Sequence, residues 1–165
     1  MKCRACGVPL PPKGLICNYC GTLNWLNGYI LEREVVIPSP YHCPLCHEEM
    51  ERLTEDASLL LEHCPQCDGV FMSEELLEEV VEYYKDSATL SNQQRRQFVI
   101  DNPRDNRKAM GYYPCPICSE MMQPFNYKRR SGVILELCEA DGIWLDGGEL
   151  FQICEWHLVE SIRNG

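Results

Sequence analysis

Apolar positions in this chain come in short runs whose period changes along the sequence. Residues 50–53 and 58–63 read as two strands around a polar turn at 54–57. Beyond Met72 the period lengthens: Leu76, Leu77, Val80, Val81 and Tyr84 recur at helical spacing on one face. Ser73 stands where it can cap that helix, with Glu74 and Glu75 beside its positive N-terminus. The plan then recurs. Residues 121–127 and 133–137 read as strands, with the turn at 128–132. Asp146 and Glu149 have capping-box spacing, and Leu150, Ile153, Cys154, Leu158 and Ile162 share the face of a second helix. Each helix is expected to pack on its own hairpin. Upstream, residues 29–37 can pair as a strand, which Pro38-Ser39-Pro40 should break. Between the two units, residues 93–100 predict a short helix after Ser91-Asn92, followed by a polar, turn-rich stretch at 102–108.

Units of roughly 20–45 residues bury too little apolar surface to fold unaided and need a metal or disulfides. The twelve cysteines supply the means. Ten form Cys-x-x-Cys pairs: Cys3 and Cys6, Cys17 and Cys20, Cys43 and Cys46, Cys64 and Cys67, Cys115 and Cys118. Only Cys138 and Cys154 stand apart. Two thiolates two residues apart hold one ion from a single turn, and a second pair completes the tetrahedron that zinc favours. Disulfides are the rival reading. The N-terminus lacks the apolar run of a signal peptide, and no stretch is long enough to cross a membrane. A cytoplasmic, reducing compartment and zinc are therefore expected.

The expected organisation is an N-terminal zinc ribbon at 1–24, a connector at 25–40, a second ribbon plus helix at 41–86, a helical and polar linker at 87–111, and a third ribbon plus C-terminal helix at 112–165. The fold class is small zinc-stabilised α+β: tandem ribbons, each a β-hairpin with a following helix. The last two read as an internal duplication, because Cys43 and Cys115 are separated by 72 residues, as are Cys46 and Cys118. In the first ribbon each pair is followed at once by glycine, Gly7 and Gly21. That suits a knuckle whose amides point at the first sulfur and whose closing residue is left-handed.

Cys43-Pro44-Leu45-Cys46, a hairpin, and then Cys64-Pro65-Gln66-Cys67-Asp68-Gly69-Val70-Phe71 resembles the transcription factor IIB-type zinc-finger domain of many small prokaryotic proteins. Asp141-Gly142-Ile143-Trp144-Leu145-Asp146-Gly147-Gly148-Glu149-Leu150 is similar to the signature of the same family and is the more specific match. The first ribbon resembles a generic zinc ribbon. The resemblance implies zinc-ribbon folds and metal binding, and no settled activity.

The third ribbon departs from the pattern. Counting from Cys138 as from Cys64, the fourth ligand position holds Asp141, which can bind zinc through oxygen. A second alignment matches Asp141-Gly142 with Asp68-Gly69. Asp141 is then a knuckle residue, and Cys154 or His157 becomes the alternative ligand, unless the site is weak or empty. Cys154 also reads as a small buried apolar residue. His42, His47 and His63 adjoin zinc cysteines and read as outer or surface groups. The cofactor expected is zinc, in two four-cysteine sites and a third built from three cysteines and Asp141.

The formal charge is −10 with neutral thiols. Each four-thiolate site adds −2 and the mixed site −1, bringing the loaded protein to about −15. Nucleic-acid binders present a basic face, so DNA and RNA are disfavoured as partners. The positive charge gathers at Arg95, Arg96, Arg104, Arg107 and Lys108 in the linker, and at Lys128, Arg129 and Arg130 on a hairpin tip. These can serve as solvated linker, as a counter to the acidic helix, or as a contact for nucleic acid or an acidic partner. No nucleophile arrangement, phosphate loop or paired histidine ligands points to an enzyme. The first expectation is a non-enzymatic adaptor working by protein–protein contact, with Trp25, Tyr29, Tyr83 and Tyr112 as contact residues by type. The alternatives are a transcription- or translation-associated factor docking on polymerase or nucleic acid, and a zinc or redox sensor working through the third site.

Overall fold

The computed structural model describes residues 7–9, 37–53, 60–87 and 111–164. Cys3, Cys6, Cys17, Cys20, Trp25, Tyr29, the linker cations and the helix expected at 93–100 lie outside the described residues, as do the side chains of Tyr83, Tyr84, Leu158 and Ile162. The elements are β1 (Ile37–His42), β2 (Glu49–Arg52), β3 (Leu61–His63), β4 (Val70–Met72), α1 (Glu74–Ser87), β5 (Gln123–Asn126), β6 (Ile134–Cys138), β7 (Gly142–Leu145) and α2 (Glu149–Arg163).

The strands form one antiparallel sheet in the order β1-β2-β3-β4-β7-β6-β5. The strands on either side of residues 88–110 therefore share a sheet. Its seam is β4 against β7, where Phe71 stands opposite Trp144, Val70 opposite Leu145 and Met72 opposite Ile143. Strand order outward from this seam is alike on both sides. The outermost contact also repeats: His42 faces Glu49 in one half, and Pro114 bridges Met121 in the other.

Each half exceeds a hairpin plus helix. The additional strands β4 and β7 follow the second cysteine turn, and neither is anticipated by periodicity. Their residues are buried on both faces, so they read as continuous apolar runs without a period of two. A second difference lies at Pro38-Ser39-Pro40, which the pattern treats as a strand breaker. These residues are inside β1. The strand is at the sheet's edge, where a proline without N–H costs no ladder bond, and its register slips between Pro38 and His42.

Alternation sorts the side chains between two layers. Leu61, Val70, Met72, Leu135, Ile143 and Leu145 join the helix residues Leu76, Leu77, Val80, Val81, Leu150, Ile153 and Cys154 in one core. Both helices thus cover the same sheet face. The opposite face carries Met50, Phe71, Met122 and Trp144 together with Cys43, Cys64, Cys115 and Cys138. Ser73 caps α1 as expected, its Oγ accepting the Leu76 amide at 3.2 Å. At α2 the N-cap is Gly148, at φ +93°, and not Asp146, so the expected capping box does not form. Glu149 Oε2 accepts the Asp146 amide at 2.7 Å, but the Asp146 carboxylate is taken by the Trp144 indole N–H at 2.7 Å.

One further row crosses the sheet. Glu62 faces Phe71, Phe71 faces Trp144, and Trp144 faces Glu136. Both glutamates are buried. Arg52 meets Glu62 Oε1 through Nε and through its terminal nitrogen, each at 2.7 Å. A charge held in this way is destabilised by several kcal/mol if its partner is removed.

Candidate metal centres

The first cluster is assembled by two knuckles. In the knuckle at 43–48 the Cys43 amide donates to the Glu48 carbonyl and the His47 amide to the Cys43 carbonyl. Residues 64–69 repeat the pattern: the Cys64 amide donates to Gly69 and the Asp68 amide to Cys64. Among the described residues, the one that follows a Cys-x-x-Cys pair is left-handed: φ is +64° at His47 and +60° at Asp68, and +72° at Gly7 after Cys6. Glycine thus fills the position in the first ribbon, while ordinary side chains accept it in the second. Amides aim at the first sulfur, Leu45 at 3.4 Å and Cys46 at 3.5 Å from Cys43 Sγ.

These turns bring Cys43, Cys46, Cys64 and Cys67 together, with all four sulfurs within 4.8 Å of one another. Cys43 Sγ lies 3.6 Å from Cys67 Sγ, and Cys46 Sγ lies 3.4 Å from Cys64 Sγ. A disulfide needs about 2.05 Å. A tetrahedral zinc with bonds of about 2.3 Å sets its sulfurs about 3.8 Å apart. The spacing therefore fits a metal and excludes a disulfide between these partners. Burial pushes the Cys67 thiol up to about 11, and pushes Cys43 well above the ordinary thiol range. A cation among them is what would make these groups thiolates.

The second cluster has one knuckle and one tight turn. Residues 115–120 repeat the pattern: the Cys115 amide donates to Glu120 and the Ser119 amide to Cys115, with Ser119 at φ +66°. The Ile117 amide reaches Cys115 Sγ at 3.4 Å. The other side is one residue shorter. The Asp141 amide donates back to the Cys138 carbonyl at 3.2 Å, and Cys138 already pairs with Gly142 across β6 and β7. Asp141 Oδ2 lies 3.4 Å from Cys115 Sγ and 3.5 Å from Cys138 Sγ, and Cys118 Sγ lies 3.6 Å from Cys138 Sγ. Cys115, Cys118, Cys138 and Asp141 thus converge as the first cluster does. Hydrogen bonding with the Cys118 thiol, and then with Cys115 and Cys138, holds the Asp141 carboxyl below its usual range against a smaller effect of desolvation. Burial raises the Cys115 thiol to about 12, whereas Cys118 is exposed.

The structure places Asp141 with the donors, and unlike Asp68 it is not left-handed, so it is not the knuckle residue of the second alignment. It takes the ligand place of Cys67, while Gly142 opens β7 as Gly69 precedes β4. The rival ligands lie elsewhere. Cys154 is in the helix-side core, its thiol raised to about 12 by burial. His157 Nε2 is 2.8 Å from the Tyr127 hydroxyl. Burial raises the Tyr127 hydroxyl to about 12 and lowers the basicity of His157, so the two share this hydrogen bond as neutral groups. The remaining histidines are outside the clusters. His63 Nε2 meets Asp68 Oδ1 at 3.1 Å, and His42 and His47 line an open groove of about 470 Å³ between the knuckles.

The clusters are tied together across the seam. A Cβ on Gly69 would fall 2.3 Å from the Trp144 ring, and one on Gly147 would fall 2.3 Å from the Cys67 carbonyl oxygen. The strand and turn leading into α2 therefore lean directly on the knuckle of the other half. No spacing argument within one ribbon reveals this contact. The signal available in sequence is the pair of glycines flanking an all-apolar run.

Residues 42–83 match the family described as transcription factor zinc-finger, the TFIIB-type zinc ribbon. The match contains all four ligands of the first cluster, Cys43, Cys46, Cys64 and Cys67. This segment is a zinc-binding zinc ribbon by both sequence and geometry. No curated protein and no solved structure matches the chain. Among the described residues, no helix is long and apolar enough to cross a membrane.

Proposed function

We propose that the chain is a non-enzymatic zinc protein that works as a protein–protein adaptor. The carrying observation is that each described cluster converges four donors. Four donors close a tetrahedron and leave no position for water or substrate, as in structural zinc sites. On this reading the mixed cluster of Cys115, Cys118, Cys138 and Asp141 also holds zinc, and Cys3, Cys6, Cys17 and Cys20 hold another. The like strand order about the β4–β7 seam supports reading the two halves as an internal duplication. Tyr112, 69% exposed beside the third ribbon, joins Leu45 and Met121 as apolar surface for contact. Native mass spectrometry tests the metal content, with three zinc ions expected in the wild type and two in Asp141→Ala. In-cell crosslinking tests the adaptor role, and a chain that crosslinks to no protein yet turns over a substrate removes it.

Two other readings each have one observation in their favour. A transcription-associated role is favoured by the family match over residues 42–83. Retention on RNA polymerase at physiological salt tests it. A zinc or redox sensor is favoured by the exposed Cys118 and the oxygen ligand in one cluster, since a carboxylate is a harder donor than the thiolate it replaces. Peroxide-insensitive zinc in that cluster removes this reading.

A further inference from the structure

The β5–β6 hairpin tip is built against local preference. Lys128 and Arg129 are consecutive residues with φ of +48° and +59°. Left-handed backbone is disfavoured for L-residues with a Cβ, and glycine or asparagine would sit there with less strain. The tip is firmly held from beneath. Tyr127 is buried and stacks edge-on against Trp156 and His157, and its amide donates to the Val133 carbonyl at 2.9 Å. Ser131 is buried, its Oγ accepting the Val133 amide at 3.0 Å. Above this base Lys128, Arg129 and Arg130 are all exposed, and none of them forms an ion pair among the described residues. Lys128 Nζ instead lies 5.7 Å from the centre of the Tyr127 ring. Three exposed cations on strained, anchored backbone stand out in a chain of formal charge −10. Strain kept at an exposed position points to a use for the side chains.

The geometry points to this tip as the docking point for a short acidic segment of a partner protein. The inference rests on the adaptor reading and names the chemistry of its partner. The surroundings decide against a nucleic acid. The exposed carboxylates of α1 include Glu78 and Glu82, whose charges reach Tyr127 at the base of the tip. A phosphodiester chain has a charge at every step and would run onto that acidic face. A peptide with a few consecutive carboxylates covers the cations and stops. The tip is at the far end of β6 from Cys138, roughly 15–20 Å away at about 3.4 Å per residue. Docking there leaves the metal ligands untouched.

The test uses the zinc-loaded full chain and fluorescence anisotropy with labelled hexaglutamate, beside a single-stranded RNA and a DNA duplex of equal charge. Hexaglutamate should bind at low salt, weaken as salt rises, and bind more tightly than either nucleic acid. Lys128→Gly with Arg129→Gly should weaken it about tenfold or more while leaving the melting temperature equal or higher, because the turn is relieved. Lys128→Asn with Arg129→Asn removes the same charges with side chains that tolerate the turn, and should behave alike. Tighter binding of RNA or DNA, no binding of hexaglutamate, or full binding by both variants overturns the inference. If the asparagine variant keeps the crosslinks that wild type makes in cells, the tip inference falls and the adaptor reading stands. If wild type makes none, the adaptor reading falls, and hexaglutamate binding still decides the tip.

Discussion

The two clusters show how much of a zinc ribbon's turn geometry can change while the donors still converge. At Cys43, Cys46, Cys64 and Cys67 two like knuckles face each other, each closed by one left-handed residue. At Cys115, Cys118, Cys138 and Asp141 one knuckle faces a turn one residue shorter. The residue missing is the left-handed one that follows the fourth donor, so Cys138 and Asp141 keep the three-residue ligand spacing of Cys64 and Cys67. The carboxylate of Asp141 reaches the place a thiolate would occupy. Convergence is set by the strands that bring the turns together, and the donor atom is the adjustable part.

The sharpest way to break the comparison is to remove metal from one side. Structural zinc contributes on the order of 10 kcal/mol to folding. Cys64→Ser should therefore unfold the sheet across the seam, seen as loss of circular dichroism and of both described metal sites. Survival of the other half as a folded, zinc-loaded unit would show that the halves are independent. Next in size is the seam itself. Trp144→Ala removes the ring that lies on Gly69 and should cost about 3–5 kcal/mol by denaturant unfolding, with loosened zinc in the Cys43–Cys67 cluster. An effect on the mixed cluster alone would contradict the contact described.

The donor difference is read most directly through protons. Burial holds Cys115 and Cys67 protonated to about 12 and 11, so zinc must displace their protons. Affinity should accordingly rise with pH in both clusters. The four-sulfur cluster releases up to four protons and the mixed one up to three, because Asp141 is already ionised. Competition with a chelator between pH 6 and 8 should give the steeper slope for the four-sulfur cluster. Asp141→Cys should bring the two slopes together and slow zinc loss from its site about tenfold or more. The smallest effect concerns the knuckles. His47→Gly and Ser119→Gly relieve left-handed backbone and should each stabilise by up to about 1 kcal/mol in thermal unfolding.

The convergence of Cys43, Cys46, Cys64 and Cys67 was readable because metal spacing is a local property, and so were the Ser73 cap and the turn at 128–132. Asp141 was readable only as one of two alignments, since a single deleted residue leaves one-dimensional counting ambiguous. Three dimensions bring Asp141 to Cys115, Cys118 and Cys138 and leave Cys154 and His157 apart. The seam was not readable. β4 and β7 are three and four residues long and apolar on both faces, so they carry no alternation to mark them as strands. Pro38 and Pro40 misled for a related reason: proline forbids a ladder bond only on the side where one is made, and edge position is a property of the whole sheet. Cys154 looked like a spare ligand because it is a cysteine. Its place on a helix face among Leu150 and Ile153 makes it core.

The outer strands carry one consequence for assembly. Among the described residues the sheet ends at β1, with Pro38 and Pro40, and at β5, with Pro124. Open strand edges invite another chain to add itself by main-chain pairing, the route to fibres and domain swaps. Here the two inner edges are spent on each other at the seam and the two outer edges are blunted by proline. Proline thus works against growth of the sheet from one molecule to the next at both described rims, in a sheet whose central strands are apolar throughout.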